Sequence, residues 1–390
     1  MLNLITKFCE KNRKKIATFL SDIVKIKSYS SEEDRLVKFL YKFLTSHCKK
    51  KSCQIKRIEN NLLIWISPKS TKCKILYDAH IDTVPAENNK KWFYPPFSGK
   101  IIKNKIYGRG SCDDKGSVTA LVFTILFLSE INYNKEPIVF SLSSNEEDSS
   151  AKGIQQVLKY VNPSYCVICE PSDLKIVYGH KGKWCVKITF FGKTAHSAIP
   201  QLGKNAIYSA YPVIKNIIEG KNENFRISPL GKPTFTITYI VSKTNSLNSI
   251  PHECSLYIDY RSVLGETEES IKNFLCKNLK KGDFLFEPQH PFFPAWILNK
   301  TDKFFSYTKD VYKFCFNKEP IPVLWQFCTN GSITTKHKIT TIGFGPGNPF
   351  VAHSDNEYIK ISDVLSAIKF YSVLATTSGN FMVSTLFAGK

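Results

Sequence analysis

The sequence predicts an α/β protein with one parallel or mixed sheet covered by helices, interrupted by a smaller insertion of different topology. Two observations carry this. Strand-like apolar runs alternate with helix-period segments from Gln54 to Cys169, and the same alternation returns after Pro294. Between these stretches the order becomes strand, helix, two strands, helix, strand, a self-contained βαββαβ unit of the ferredoxin-like arrangement. The boundaries predicted are residues 1–182 and 294–390 for the two parts of the larger domain, and 183–293 for the insertion.

In chain order, Leu2 to Ile26 has the period of an amphipathic helix. Ser30-Ser31-Glu32-Glu33 has capping-box spacing and opens a second helix, reaching about His47. Strands are expected at Gln54 to Arg57, Leu62 to Ile66 and Lys74 to His80, followed by a polar and aromatic loop from Asp82 to Pro96. Ile106 to Gly116 is a glycine-rich junction before an apolar helix, Ser117 to Glu130. A strand at Ile138 to Ser143, a helix from about Ser150 to Tyr160 and a strand at Tyr165 to Cys169 complete the first part. The insertion reads as strands at Trp184 to Phe191, Phe235 to Val241, Cys254 to Val263 and Asp283 to Glu287, with helices at Asn205 to Glu219 and Thr267 to Lys281. A helix from Asp302 to Phe316, a strand at Ile339 to Gly343 and a helix from Ile361 to Leu374 follow, and an irregular tail is expected from Thr376.

The chain has 390 residues, enough for two domains with full cores. Its formal charge of +21 comes from 54 Lys+Arg against 33 Asp+Glu. The lysines are scattered rather than blocked, and six of the basic residues are arginine, so compositional drift accounts for the charge better than a nucleic-acid or membrane surface does. No apolar run reaches the roughly 18 residues of a membrane span. Charged residues fall early at the N-terminus, against a signal peptide, and a cytoplasmic protein is expected. The 12 dispersed cysteines then read as free thiols. Cys166-Val-Ile-Cys169 has chelate spacing, but in a strand those two side chains face opposite ways, so buried thiols are expected there.

Candidate functional residues fall at strand ends. His80 ends a strand in Asp78-Ala-His-Ile-Asp82, where Asp82 can orient a metal-bound imidazole from behind. Asp113 and Asp114 occupy the glycine-rich junction, where a carboxylate could bridge two ions and where the plainer reading is helix capping. Glu146 and Glu147 follow a strand, so one can ligate while the other faces an attacking water. Glu170 ends the next strand, and His353 follows the Gly343-Phe-Gly-Pro-Gly347 loop. In open α/β sheets functional groups collect at the carboxyl ends of strands. Five ligand-type residues at such ends argue for a metal centre. Mixed imidazole and carboxylate donors suit zinc, manganese or cobalt, and a bridging carboxylate suits two ions.

Five segments carry a family resemblance: Asp78-Ala-His-Ile-Asp-Thr-Val-Pro85, Tyr107-Gly-Arg-Gly-Ser-Cys-Asp-Asp-Lys-Gly116, Asn145-Glu-Glu-Asp148, Cys169-Glu-Pro-Ser172 and Gly192-Lys-Thr-Ala-His-Ser197. In this order they resemble the dinuclear zinc metallopeptidases that include acetylornithine deacetylase, succinyl-diaminopimelate desuccinylase, aminoacylase and glutamate carboxypeptidase. Leu247 to Pro251, Trp325 to Gly331 and Ile342 to Gly347 look most like that family's selenium-metabolism-linked hydrolases. The resemblance implies a zinc-aminopeptidase-like catalytic domain with an inserted dimerisation lid, and hence a homodimer. It implies two Zn²⁺ per subunit, with Co²⁺ or Mn²⁺ as alternatives. Asp113 would bridge them, His80 and Glu170 would complete one site, and Glu147 and His353 the other. Glu146 would be the general base, Asp82 the orienting group of His80, and His196 an oxyanion stabiliser reaching a partner subunit's site. Asn248 and Arg261 would hold substrate, with Thr329, Asn330 and the loop from Gly345 lining the pocket. Asp114 departs from the commoner non-acidic residue at its position; Cys112 and Lys181 also flank the implied site.

The function expected is hydrolysis of the amide of a small N-acyl amino acid, of deacetylase or desuccinylase type. The alternative is a dipeptidase or carboxypeptidase using the same chemistry, and a non-catalytic binding protein on the same scaffold is the rival from another class.

Overall fold

The computed structural model describes residues 1–49, 53–67, 70–86, 91–219, 228–280 and 282–377. They form two compact units, one comprising Met1–Gly179, Leu298–Trp325 and Thr329–Lys390, the other His180–Ile297 with Gln326–Cys328. Of the tail expected after Thr376, residues 378–390 lie outside the described residues.

The first unit is built on a mixed sheet. Its strands run in the spatial order Cys53–Ile58, Asn61–Ile66, Ile138–Ser143, Lys72–His80, Asn162–Ile168, Thr340–Gly343 and Val177–His180. The four central strands, from Ile138–Ser143 to Thr340–Gly343, are mutually parallel, and antiparallel strands flank them. Their carboxyl ends therefore lie along one edge: His80 stands level with Ser143, and Asp78 with Ile168. The strand Thr340–Gly343 enters last in sequence yet pairs beside Asn162–Ile168, so the C-terminal segment completes the sheet rather than extending its edge.

Three helices pack together over this sheet: Leu2–Lys25, Lys115–Glu130 and Ile361–Thr377. Lys115–Glu130 is buried along almost its whole length, as its all-round apolar sequence requires. Phe123 lies edge-on to Phe19 of the first helix and also meets Phe43 of the helix Asp34–His47. Phe344 stacks on Phe370 with ring centroids 3.9 Å apart, tying the loop after Thr340–Gly343 to the last helix. A second, three-stranded sheet pairs Lys105–Tyr107 with Lys100–Ile102 on one side and Tyr358–Lys360 on the other. That short sheet holds the glycine-rich junction against the segment that follows His353.

The second unit has a four-stranded antiparallel sheet. Its spatial order is Thr234–Lys243, Glu253–Arg261, Trp184–Phe191 and Phe284–Pro288, with helices Ala206–Glu219 and Glu268–Leu275. Numbered within the unit, that order is 2-3-1-4, the ferredoxin-like arrangement.

Some local expectations fail for identifiable reasons. Ser30 to Glu33 forms no capping box: the helix starts at Asp34, and its N-terminal neighbour Glu33 caps nothing with its side chain. Glu33 is instead fully buried and accepts from the backbone N–H of Ser31 (2.9 Å) and the amide of Asn60 (2.8 Å). The helix expected to Tyr160 covers only Lys152–Val157. The strands Val177–His180, Val323–Trp325 and Tyr358–Lys360 and the helix Gly331–Lys336 were too short to leave a periodic signal.

Replacing Phe123 with alanine should lower stability by about 3–5 kcal/mol, the range for a buried phenylalanine. A melting temperature of the metal-stripped variant equal to that of the unsubstituted protein would contradict this packing.

Candidate metal centre

At the carboxyl edge of the sheet, two ligand groups share one carboxylate. His80, Asp113 and Glu170 form one, and Asp113, Glu147 and His353 the other; in each, the ligating atoms lie within 4.8 Å of one another. His80 Nε2 is 2.9 Å from Asp113 Oδ1 and 3.5 Å from Glu170 Oε1. His353 Nε2 is 3.2 Å from Asp113 Oδ2 and 3.0 Å from Glu147 Oε1. Asp113 thus turns one oxygen toward each group, the disposition a bridging ligand requires. Asp114 precedes the helix Lys115–Glu130, yet no side-chain bond caps that helix, so the capping reading of this aspartate pair does not hold.

Sequence dictates this geometry through the loops. Gly110 adopts φ +78°, a left-handed conformation that favours glycine. A Cβ at Gly116 would come within 2.3 Å of Ile359 Cδ1, so the helix and the Tyr358–Lys360 strand approach each other only because this residue is glycine. A Cβ at Gly345 would lie 2.3 Å from the carbonyl oxygen of Glu170. The amide of Gly345 donates to Ser172 Oγ (3.0 Å), and its carbonyl accepts from the Leu174 amide (3.1 Å), bracing the turn that presents Glu170.

Asp82 does more than stand behind His80. His80 Nδ1 makes its shorter contact, 3.0 Å, with the backbone carbonyl of Asp82, and the carboxylate is 3.5 Å away. That carboxylate accepts from the backbone amides of Glu146 (3.2 Å) and Glu147 (3.0 Å) and from Ser30 Oγ (2.7 Å). One buried side chain therefore holds the imidazole ligand's loop and the Glu146-Glu147 segment together. Glu33 grips the same segment from its other end, accepting from the Asn145 amide at 3.3 Å.

A further set of contacts was not legible in the sequence. Glu357, fully buried, accepts from Arg109 Nη1 (2.8 Å) and from the backbone amides of Gly110 (3.1 Å), Cys112 (2.8 Å) and Asp113 (3.1 Å). Its place four residues after His353 was the available signal, but an acidic residue in a polar loop does not declare its burial.

The remaining predicted residues are distributed as follows. Asn330 is buried, with its amide donating to Asp78 Oδ2 (2.8 Å) and Ser143 Oγ (3.4 Å), and buried Thr329 accepts from the Gly331 amide. His196, Asn248 and Arg261 belong to the second unit. There the His196 and Ser249 backbones pair, the Ser197 amide donates to the Asn248 carbonyl (2.8 Å), and His196 is exposed. Arg261 Nε donates to Asp259 at 2.6 Å. Lys181, buried in the same unit, donates to the Lys232 carbonyl. Cys166 and Cys169 are buried free thiols.

The electrostatics are those of a cation site. Burial pushes Glu146 up to about 8; His80 opposes the rise, while Glu147, Asp82 and Asp113 add to it. Burial likewise raises Glu147, helped by Asp113, and raises Glu170 well above the ordinary carboxylate range. Burial works against the charged form of His80, but Glu170, Asp113 and Asp82 prevail and raise it well above 6.5. Bonds to Asp113 and Glu147 lift His353 to about 10. Carboxylates so crowded favour protons or metal ions, and this donor set of imidazoles and carboxylates fits two divalent ions that share Asp113.

Fold and site together define a metal-dependent hydrolase of amide bonds. The chain belongs to the peptidase family M20/M25/M40, whose profile it matches over residues 76–377. It is similar to succinyl-diaminopimelate desuccinylase of Wigglesworthia glossinidia brevipalpis, 28% identical over 330 residues that cover 80% of this chain and 85% of that one. It is also similar to the uncharacterized protein YgeY of Escherichia coli K12, 27% identical over 320 residues, 77% of this chain and 79% of that one. Among solved structures, the M20 family metallo-carboxypeptidase Sso-CP2 of Sulfolobus solfataricus shares the fold, with a TM-score of 0.76 at 19% identity, covering 93% of this chain and 99% of that one.

The protonation pattern fixes the sign of a pH effect in metal-stripped protein. The raised Glu146 makes its ionisation unfavourable to the fold, so stability falls as pH rises from 4.5 toward about 8. The raised His353 contributes stability below pH 6.5 that is lost as pH rises through about 10. Both act in one direction between 6.5 and 8. The melting temperature in excess chelator should therefore fall across that window, and less so with metal bound, since ligation holds His353 deprotonated and the nearby cations favour the ionised form of Glu146. A flat profile in chelator would contradict the assignment.

Proposed function

We propose that this protein removes the acyl group from a small N-acyl amino acid by hydrolysing its amide bond, with Glu146 as general base. The observation that carries the proposal is the placement of Glu146. It follows the strand Ile138–Ser143, its backbone amide is fixed by Asp82, and its neighbour Glu147 belongs to a ligand group while Glu146 does not. A carboxylate so placed can accept a proton from the attacking water and return it to the leaving nitrogen. His80, Asp113, Glu147, Glu170 and His353 would hold two divalent ions, which would supply Lewis acidity and make a water nucleophilic at neutral pH. Zinc suits this donor set, with cobalt or manganese as substitutes.

The likeness to a desuccinylase favours an N-acyl substrate. The competing reading, a dipeptidase or carboxypeptidase, draws on the fold shared with Sso-CP2. Arg261 and Asn248 are proposed to bind the substrate, Arg261 its carboxylate. Thr329, Asn330 and Gly345 are proposed to shape the pocket floor from beneath, since Asn330 already spends its amide on Asp78.

We further propose a homodimer formed through the second unit. Thr234–Lys243 is an edge strand with Tyr239 and Ile240 exposed, and the helix Ala206–Glu219 exposes Tyr208, Tyr211 and Ile218. An uncovered apolar edge of this kind invites pairing. His196, exposed on the same unit, is assigned to stabilise the oxyanion in a partner copy's site. No helix among the described residues is long and apolar enough to cross a membrane. With its twelve cysteines free, the protein suits a reducing compartment such as the cytoplasm.

Purified protein loaded with zinc or cobalt should hydrolyse at least one of N-succinyl-diaminopimelate, N-acetylornithine or other N-acetyl amino acids faster than it does dipeptides. The reverse preference would move the assignment to the peptidase reading. Glu146→Gln should retain both ions yet lose about 10²–10⁴-fold in kcat, the usual range for a general base. Turnover equal to the unsubstituted enzyme would remove Glu146 from that role.

A further inference from the structure

Glu357 and Arg109 stand outside both ligand groups, yet they join the two loops that carry Asp113 and His353. The Glu357 carboxylate takes four donors on two oxygens: Arg109 Nη1 and the Gly110 amide on Oε2, and the Cys112 and Asp113 amides on Oε1. Three successive parts of the loop that delivers Asp113 are thereby wrapped around one anion. Arg109 then spans the gap to the other loop, with Nη2 3.2 Å from the His353 carbonyl and Nη1 3.3 Å from that of Ser354. His353 itself sits at φ +59°, a conformation that non-glycine residues seldom adopt unless their surroundings hold them there. Both brace residues are shielded from water: Glu357 is fully buried and Arg109 is 5% exposed. Arg109 also lies 5.6 Å from the Trp92 ring. The strand register of Ile106 with Ile359 brings the two loops side by side, and the ion pair fixes them.

We infer that Arg109 and Glu357 form a positioning brace that selectively builds the Asp113–Glu147–His353 half of the metal centre. The asymmetry follows from which ligands the brace touches. It contacts the backbone of two of the three ligands in that group, Asp113 and His353. In the His80–Asp113–Glu170 group it contacts only Asp113, while His80 ends a sheet strand and Glu170 is held by the turn braced by Gly345. Loosening the brace therefore degrades one half more than the other. The two bonds of a guanidinium fork to separate carbonyls cannot be reproduced by a lysine ammonium, and an amide in place of the Glu357 carboxylate turns a donor toward donors.

The inference rests on the two-ion reading of the site, and the experiment separates the two. Metal-free protein is titrated with Co²⁺, followed by visible absorption and by elemental analysis of bound ions, for the unsubstituted chain, Arg109→Lys and Glu357→Gln. Melting of each metal-free form is measured alongside. The unsubstituted protein is expected to take two ions per chain. Both variants are expected to hold one ion nearly as tightly as the unsubstituted protein and to bind the second about 10–100-fold more weakly, the usual effect of losing an outer hydrogen-bond partner. Equal weakening of both ions, or two ions bound normally in folded variants whose only change is a lower melting temperature, overturns the brace. A single ion in the unsubstituted protein overturns the two-ion reading and the brace with it. If Glu357→Gln does not fold, Arg109→Lys decides, since its surroundings keep a cation.

Discussion

The organising constraint is the crowding of acidic side chains at one edge of a sheet. Asp113, Glu147 and Glu170 each come within 3.5 Å of the His80 or His353 imidazole, and Glu146 stands beside them. Groups so placed repel one another and lose hydration, a combination that would splay apart in a flexible chain. They remain together because the backbone beneath each is fixed: His80 by a strand in mid-sheet, Glu146 and Glu147 by the Asp82 carboxylate, Asp113 by Glu357, and Glu170 by the Gly345 loop. Asp113, Glu146 and Glu147 are thus held through their backbone amides by two further carboxylates, those of Glu357 and Asp82. That division leaves the Asp113 and Glu147 carboxylates to meet the imidazoles of His80 and His353, which are themselves ligand-type groups.

The same logic explains why the site needs a rigid platform. Ligands on strand ends inherit the precision of the sheet, whereas Asp113 and His353 come from loops and must be pinned by side chains. The short sheet that pairs Lys105–Tyr107 with Tyr358–Lys360 does this over a long sequence separation.

Much of this was legible in the sequence, and the limits have a physical pattern. Alternating strand and helix periods located the sheet, and ligand-type residues just past strand ends located His80, Glu147 and Glu170. Asp113 was legible because glycines announce an unusual turn, and Gly110 and Gly116 are required by conformation and by close approach. What escaped were residues whose role depends on burial by distant chain segments. Glu33 reads as a capping residue from its neighbours, and only the fold brings it to Asn145. Glu357 reads as one more acidic loop residue until Gly110 to Asp113 is wrapped around it. The bond from the buried Asn330 amide to Asp78 is likewise invisible until the strand and the helix start are brought together. Local patterns report the period of an element, but they carry no information about which polar side chain will be enclosed.

The late entry of the strand Thr340–Gly343 bears on how the protein is made. Residues for the His80–Asp113–Glu170 group have all been synthesised by position 170, but the strand that closes the sheet beside Asn162–Ile168 emerges only after the whole second unit has been translated. His353 and Glu357 come later still. On the ribosome the growing chain therefore carries an unfinished sheet edge and a half-assembled ion site through the synthesis of well over a hundred residues. The exposed edge in that interval is an opening for misassociation.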